Sequence, residues 1–139
     1  MIAYLDSSVL LRVVLGQRDR LKEWKQVREG VASAIVEVEC LRTLDRLRLR
    51  AGLTDRDLAA RREAVFRLLE EVSVVEPGRF ILSRASQPFP TPLGTLDAIH
   101  LATALAWRES RNPEIVMATH DAALGTAARA LGFRVLGLP

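Results

Sequence analysis

Ile2 to Leu15, IAYLDSSVLLRVVL, places a short apolar run, a single acid and a second apolar run of helical spacing in direct succession. Ile2 to Leu5 reads as a buried strand, and the residues after Asp6 as a helix opened by a side-chain cap from Ser7 or Ser8. The same order returns near the other end, in Ile115 to Leu131, IVMATHDAALGTAARAL. There Ile115 to Ala118 reads as a strand, Thr119, His120 and Asp121 as its exit, and AALGTAARAL as the helix. Buried strands that run straight into helices imply crossover connections, hence an α/β fold with a parallel sheet and helices on both faces.

Between these ends the alternation continues. Gly16 to Arg20, GQRDR, is a polar break, and Leu21 to Arg28, with Trp24 and Val27, predicts a solvent-facing helix ended by Gly30. Val31 to Ile35 predicts a short strand, and Ser33 the cap of a long helix that runs to about Ala51 and is closed by Gly52. Thr54 to Val72 carries Leu58, Val65, Leu69 and Val72 at helical spacing behind Asp55 and Asp57, an amphipathic helix. Val72 to Val75 is a β-branched strand candidate stopped by Glu76, Pro77 and Gly78. A helix from about Arg79 to Ser86 leads into QPFPTPLG, a stiff extended loop, then into GTLDAIHLATAL from Gly94 to Leu105. Phe133 to Leu136 is the last of about five strands. Without repeats or linkers, residues 1–139 read as one domain.

Hydrophobic residues make up 49% and charged residues 27%, and no apolar run approaches the roughly 20 residues of a membrane span, so a soluble protein is expected. The N-terminal MIAYLDSS lacks the basic and apolar segments of a leader, and Cys40 is the only cysteine. Both point to the cytoplasm. The net charge is +3, and all basic residues except Lys22 and Lys25 are arginine, the side chain suited to phosphate and carboxylate recognition. A GC-rich genome would leave the same mark, so composition alone does not decide the partner. Setting aside Asp6, Glu39, Asp97 and Asp121 leaves +3 − (−4) = +7 on the rest, the contrast needed to hold cations against a polyanion.

Those four acids are the candidate site. Asp97 stands at the head of an apolar helix, among Leu96, Ala98, Ile99, Leu101 and Ala102, where a bare charge is disfavoured. Thr95 already offers a cap there, which frees Asp97 for another task. Asp6 and Asp121 follow strands, at the sheet edge where α/β folds bind ligands, though acids so placed are commonly helix caps. On a wheel of about 100° per residue, Glu39 shares a face with Arg42, Arg46 and Arg50, whereas Glu37 lies nearly opposite. The ordinary interpretation of that stripe is a solvated face with Glu39 paired to Arg42; the functional one is a binding face for a nucleic acid or an acidic protein. Gathered together, the four carboxylates would repel unless cations neutralised them, and an all-oxygen donor set favours Mg²⁺ or Mn²⁺. Cys40, His100 and His120 show no zinc spacing. Ser7, Ser8 and Thr119 read as caps or buttresses, with Ser8 and Thr119 also placed to hold a metal-bound water or orient a carboxylate; His100 reads as a satisfied, partly buried side chain rather than a general base, and His120 as a surface neighbour of the site.

The segments YLDSSVLLR, SAIVEVECLR, TLDAIHLATAL and ATHDAALGTAARALGFRVL resemble the four acidic motifs of the PIN-domain ribonucleases, nearest to the VapC-like toxins of type II toxin–antitoxin pairs. The resemblance runs from Met1 to the last strand, and LDAIHLATA is its most specific part. It implies a three-layer α/β/α sandwich and a Mg²⁺- or Mn²⁺-dependent endoribonuclease. Asp6 and Asp97 then correspond to the principal metal ligands, Glu39 to the acid of the second motif and Asp121 to that after the fourth strand. ECLR matches the family's Glu, two apolar residues and a basic one, which also favours Glu39 over Glu37. His120, before Asp121, departs from the usual aromatic or polar residue. A homodimer and a cognate antitoxin lying in the active-site groove are implied as well. The competing function is a PIN-like scaffold that binds RNA or a protein without cutting. A phosphoacceptor receiver would want an acid pair at Asp6 and a late lysine; no lysine follows Lys25.

Overall fold

The computed structural model describes residues 1–139. Its five strands are β1 (Ile2–Leu5), β2 (Glu29–Ser33), β3 (Ser73–Val75), β4 (Val116–Ala118) and β5 (Val135–Leu136). Six helices connect them: α1 (Ser7–Val14), α2 (Ile35–Ala51), α3 (Asp55–Glu71), α4 (Arg79–Ala85), α5 (Thr95–Ser110) and α6 (Ala122–Ala130). All strand pairs are parallel, in the order β3-β2-β1-β4-β5. The chain therefore builds one half of the sheet outward from β1, then returns to build the other from β4. The order reverses between β1 and β4, and a crevice at such a reversal is where these sheets take ligands.

Strand alternation sorts the core into two layers. Ala3, Leu5, Ala32, Val116 and Ala118 face Val9, Leu10 and Val14 of α1, Val36, Cys40 and Leu44 of α2, and Val65 of α3. Tyr4, Val31 and Met117 face Leu101, Ala104 and Leu105 of α5 and Leu124, Ala127 and Ala128 of α6. The fold is the expected three-layer α/β/α sandwich. Each fully buried leucine, such as Leu44 or Leu101, contributes roughly 1.5–3 kcal/mol through burial. No helix is long and apolar enough to cross a membrane.

Several expected boundaries shift. The helix expected over Leu21 to Arg28 is only a 3₁₀ turn, Trp24–Gln26. Leu21, Trp24 and Val27 repeat every three residues and pack on the first core layer, a spacing that three residues per turn satisfies. Strand β2 starts at Glu29 because the Met1 carbonyl accepts from the Arg28 and Glu29 amides and sets its register. It ends at Ser33, and Ala34, not Ser33, is the N-cap of α2, although the Ser33 hydroxyl accepts from the Ile35 amide at 3.3 Å. Gly52 closes α2 in the left-handed conformation at φ 65°. Helix α1 is capped by Asp6 rather than Ser7 or Ser8, and α5 by Gly94 with no side-chain contribution from Thr95.

Candidate active site

Strand β1 ends in Asp6, which is 3% exposed. Its Oδ1 accepts from the Ser8 hydroxyl at 2.6 Å and the Val9 amide at 3.3 Å, and its Oδ2 accepts from Thr119 Oγ1 at 2.7 Å. Each hydroxyl is itself aimed by an incoming amide: His120 N–H donates to Ser8 Oγ at 2.9 Å, and Asp121 N–H to Thr119 Oγ1 at 2.9 Å. Ser8 and Thr119 thus lace the ends of β1 and β4 together around one carboxylate. Burial pushes the Asp6 carboxyl up, and these hydrogen bonds oppose it.

Asp97 is half-buried in the first turn of α5. Its carboxyl is pushed up to about 6, first by burial and then by the charge of Asp121, with further upward pressure from Asp6 and Glu39 and relief from His100. No hydrogen bond relieves it. Asp97 thus lies within electrostatic reach of the other three acids. Asp121 is exposed and caps α6 through Oδ1, which accepts from the Leu124 amide at 3.0 Å. Both acids that follow strands are helix caps, yet both remain in the field of Asp97.

Glu39 does not pair with Arg42. Its Oε1 lies 2.6 Å from His100 Nε2, and its Oε2 accepts from Ser7 Oγ at 3.3 Å. His100, 1% exposed, is held on its other side by Tyr4 Oη at 2.7 Å from Nδ1. Tyr4 was not anticipated as part of the site. Its signal was a tyrosine two residues before Asp6, on the same side of the strand by alternation and needing a partner for its hydroxyl. Arg42, Arg46 and Arg50 are exposed on α2; Arg46 donates to Thr43 Oγ1 at 3.0 Å. His120 is half-buried rather than superficial: Nδ1 donates to the Gly137 carbonyl at 2.8 Å, and Nε2 is buried without a partner.

The acids border one sheet edge without closing into a ready-made coordination group: no three His, Cys, Asp or Glu side chains are close enough to hold one ion together. Bare carboxylates brought together repel, and a bound cation would offset that repulsion. The donor chemistry fits a hard cation. The Cys40 thiol is pushed up to about 12 by burial and by Glu39 and Asp6, so it offers no thiolate, and His100 Nε2 is committed to Glu39. Carboxylate oxygens remain, the donors of Mg²⁺ and Mn²⁺ sites.

Gly137 supports this corner from behind. At φ 97°, a Cβ there would collide with the Thr119 carbonyl oxygen. Gly137→Ala is expected to lower stability by about 1–3 kcal/mol. Chemical denaturation checks this, and an unchanged midpoint would contradict the required approach.

The family model described as PIN domain matches residues 3–130. The chain belongs to the PIN domain family. This PIN protein is also 30% identical, over 136 residues covering 96% of its own length and 95% of the relative's, to Ribonuclease VapC46 of Mycobacterium tuberculosis. Two solved structures share the fold. A chain of a toxin–antitoxin complex from Klebsiella pneumoniae superposes with TM-score 0.65 at 15% identity, covering 100% of the PIN chain and 96% of its counterpart. A chain of VapBC-1 from nontypeable Haemophilus influenzae gives TM-score 0.60 at 17% identity, with 97% and 96% coverage.

Proposed function

We propose that this PIN protein is a Mg²⁺- or Mn²⁺-dependent endoribonuclease and the toxin of a type II toxin–antitoxin pair. The observation that supports the catalytic part is Asp97, half-buried without a hydrogen-bond partner, whose carboxyl is pushed up to about 6 by burial and by the charges of Asp121, Asp6 and Glu39. Similarity to a protein named a ribonuclease supports RNA as the substrate class. Asp6, Glu39, Asp97 and Asp121 are the residues that would hold the cation. A bound divalent ion supplies an activated water and neutralises charge on the phosphodiester undergoing hydrolysis. The chain's own part is geometric: Ser8 and Thr119 fix the Asp6 carboxylate, and α5 carries Asp97 to the sheet edge on a rigid, apolar support.

EDTA is expected to abolish cleavage of RNA by the purified protein, and added Mg²⁺ or Mn²⁺ to restore it. Cleavage that persists in EDTA would overturn metal dependence. A folded protein that binds RNA but never cuts it with either ion would favour the scaffold function instead.

The arginine stripe Arg42, Arg46 and Arg50 would meet the RNA backbone. Neutralising Arg46 and Arg50 should weaken RNA binding and flatten the slope of log affinity against log salt by about 2. An unchanged slope would assign the stripe to solvent or to the antitoxin. The antitoxin is supported by the toxin–antitoxin complexes that share the fold; a basic segment entering the acidic cluster would block it by charge pairing. A homodimer, a single domain over residues 1–139 and a cytoplasmic location complete the proposal.

A further inference from the structure

Tyr4 and His100, both buried, and Glu39, part-buried, form a continuous chain that reaches from β1 through α5 to α2. The Ser33 amide donates to Tyr4 Oη at 3.3 Å, Tyr4 Oη lies 2.7 Å from His100 Nδ1, and His100 Nε2 lies 2.6 Å from Glu39 Oε1. An ionised carboxylate only accepts, so Nε2–H is the donor to Glu39 in either charge state of the ring. Tyr4 holds the ring from behind in both states, donating to Nδ1 when it is bare and accepting from it when it is protonated. Ring orientation is also constrained by the edge-on stacking of Tyr4 and His100, whose centroids are 5.8 Å apart. Ser7, adjacent to Asp6, restrains the other Glu39 oxygen. Each link joins an element that bears one of the clustered acids to another: Tyr4 shares β1 with the approach to Asp6, and His100 lies one turn from Asp97 on α5.

We propose that His100, braced by Tyr4, is a positioning residue that holds the Glu39 carboxylate in the orientation required for divalent-cation binding, and takes no part in proton transfer to RNA. This rests on the metal-dependent nuclease function proposed above. A histidine that served the core alone would need only satisfied nitrogens. Here the satisfied nitrogen points at one particular acid of the cluster, a long side chain whose rotamers would otherwise be free at a partly exposed edge. Fixing it lowers the entropy lost when an ion is bound, as outer hydrogen-bond partners of metal ligands do.

The test is a double-mutant cycle between His100→Leu and Glu39→Gln, read by calorimetric Mn²⁺ titration and by the split of kcat against KM for RNA cleavage. His100→Leu is expected to weaken Mn²⁺ binding about 10–100-fold and to lower kcat with KM little changed. His100→Gln, whose amide N–H can reach Glu39, should recover most of the loss. Tyr4→Phe should shift Mn²⁺ affinity in the same direction by less. In the Glu39→Gln background none of these changes should weaken Mn²⁺ binding further. Equal losses in both backgrounds, or unchanged Mn²⁺ affinity in folded His100→Gln and Tyr4→Phe proteins, would overturn the positioning role; these two variants also carry the test if His100→Leu fails to fold. The imidazole Nε2–H resonance of the metal-free protein gives an ion-independent readout, expected to shift upfield in Glu39→Gln. If that shift is seen but the wild type binds no Mn²⁺, the metal-dependent function fails while the His100–Glu39 bond stands. If Mn²⁺ binds and Asp97→Asn abolishes binding while the cycle is additive, only the positioning role fails.

Discussion

Asp97→Asn is expected to lower RNA cleavage by at least about 100-fold, and Asp6→Asn combined with Asp97→Asn to reduce it to background. Asparagine keeps the size of the side chain and removes the charge, so the change reports on cation binding rather than on packing. Asp97 suits this test because no hydrogen bond would be broken. Asp6 is a harder position: its oxygens accept from Ser8, Val9 and Thr119, and an amide nitrogen cannot accept in place of an oxygen. Asp6→Asn therefore carries a stability loss of about 1–3 kcal/mol that Asp97→Asn does not. Cleavage assays with circular dichroism on the same preparations separate the two effects. Full activity in the folded double variant, with host nucleases removed, would rule out the carboxylate site.

The second large effect is with pH. In the metal-free protein the folded state binds the Asp97 proton more tightly than the unfolded chain, whose carboxyl has its ordinary 3.8 against about 6 in the fold. The stability that this proton confers is fully present below 3.8 and is lost as pH rises through about 6. Asp6, also raised by burial, acts with the same sign. Glu109, lowered by its ion pair with Arg84, acts with the opposite sign at lower pH. The clean quantity is thus the difference between wild type and Asp97→Asn. Across pH 4 to 7 in EDTA, the wild type should lose stability relative to the variant, by about 1 kcal/mol once solvent screening of the half-exposed group is allowed for. Parallel curves would contradict the placement of Asp97 among like charges. With metal the slope reverses: protons compete for the same oxygens, and Mn²⁺ affinity should fall below about pH 6, by up to about tenfold per pH unit for each proton displaced.

Local pattern carried the fold because every strand except the last, β5, exits through a short turn into a helix. Ile2–Leu5 and Val116–Ala118 are short apolar runs with an acid just beyond, and parallel topology follows from the crossovers that such units need. Boundaries were less legible where tertiary contacts choose them. Leu21, Trp24 and Val27 could serve a helix or a 3₁₀ turn, and packing on the first core layer selected the turn. The caps expected at Ser7, Ser8 and Ser33 fall to their neighbours for a related reason: a hydroxyl beside a strand end has several partners in reach, and at Ser8 the acceptor is the Asp6 carboxylate, itself the better cap. Thr95 lies one residue inside α5, whose N-cap is Gly94.

The candidate acids were visible from spacing and from the resemblance of their motifs, but their partners were not. Glu39 and His100 are 61 residues apart, and Thr119 and Asp6 are 113 apart. No periodicity reports contacts at such separations. The helical wheel placed Glu39 beside Arg42, a pair that costs little to form and little to break at an exposed face. The buried imidazole on α5 offered a shorter, better-shielded bond and took the carboxylate instead.

Anomalous diffraction from crystals soaked in Mn²⁺ tests the carboxylate site most directly. The expected result is a manganese peak bordered by Asp6 and Asp97, with Glu39 and Asp121 around it, and its loss in Asp97→Asn. A protein that cleaves RNA in Mn²⁺ yet binds the ion away from these four acids would contradict it.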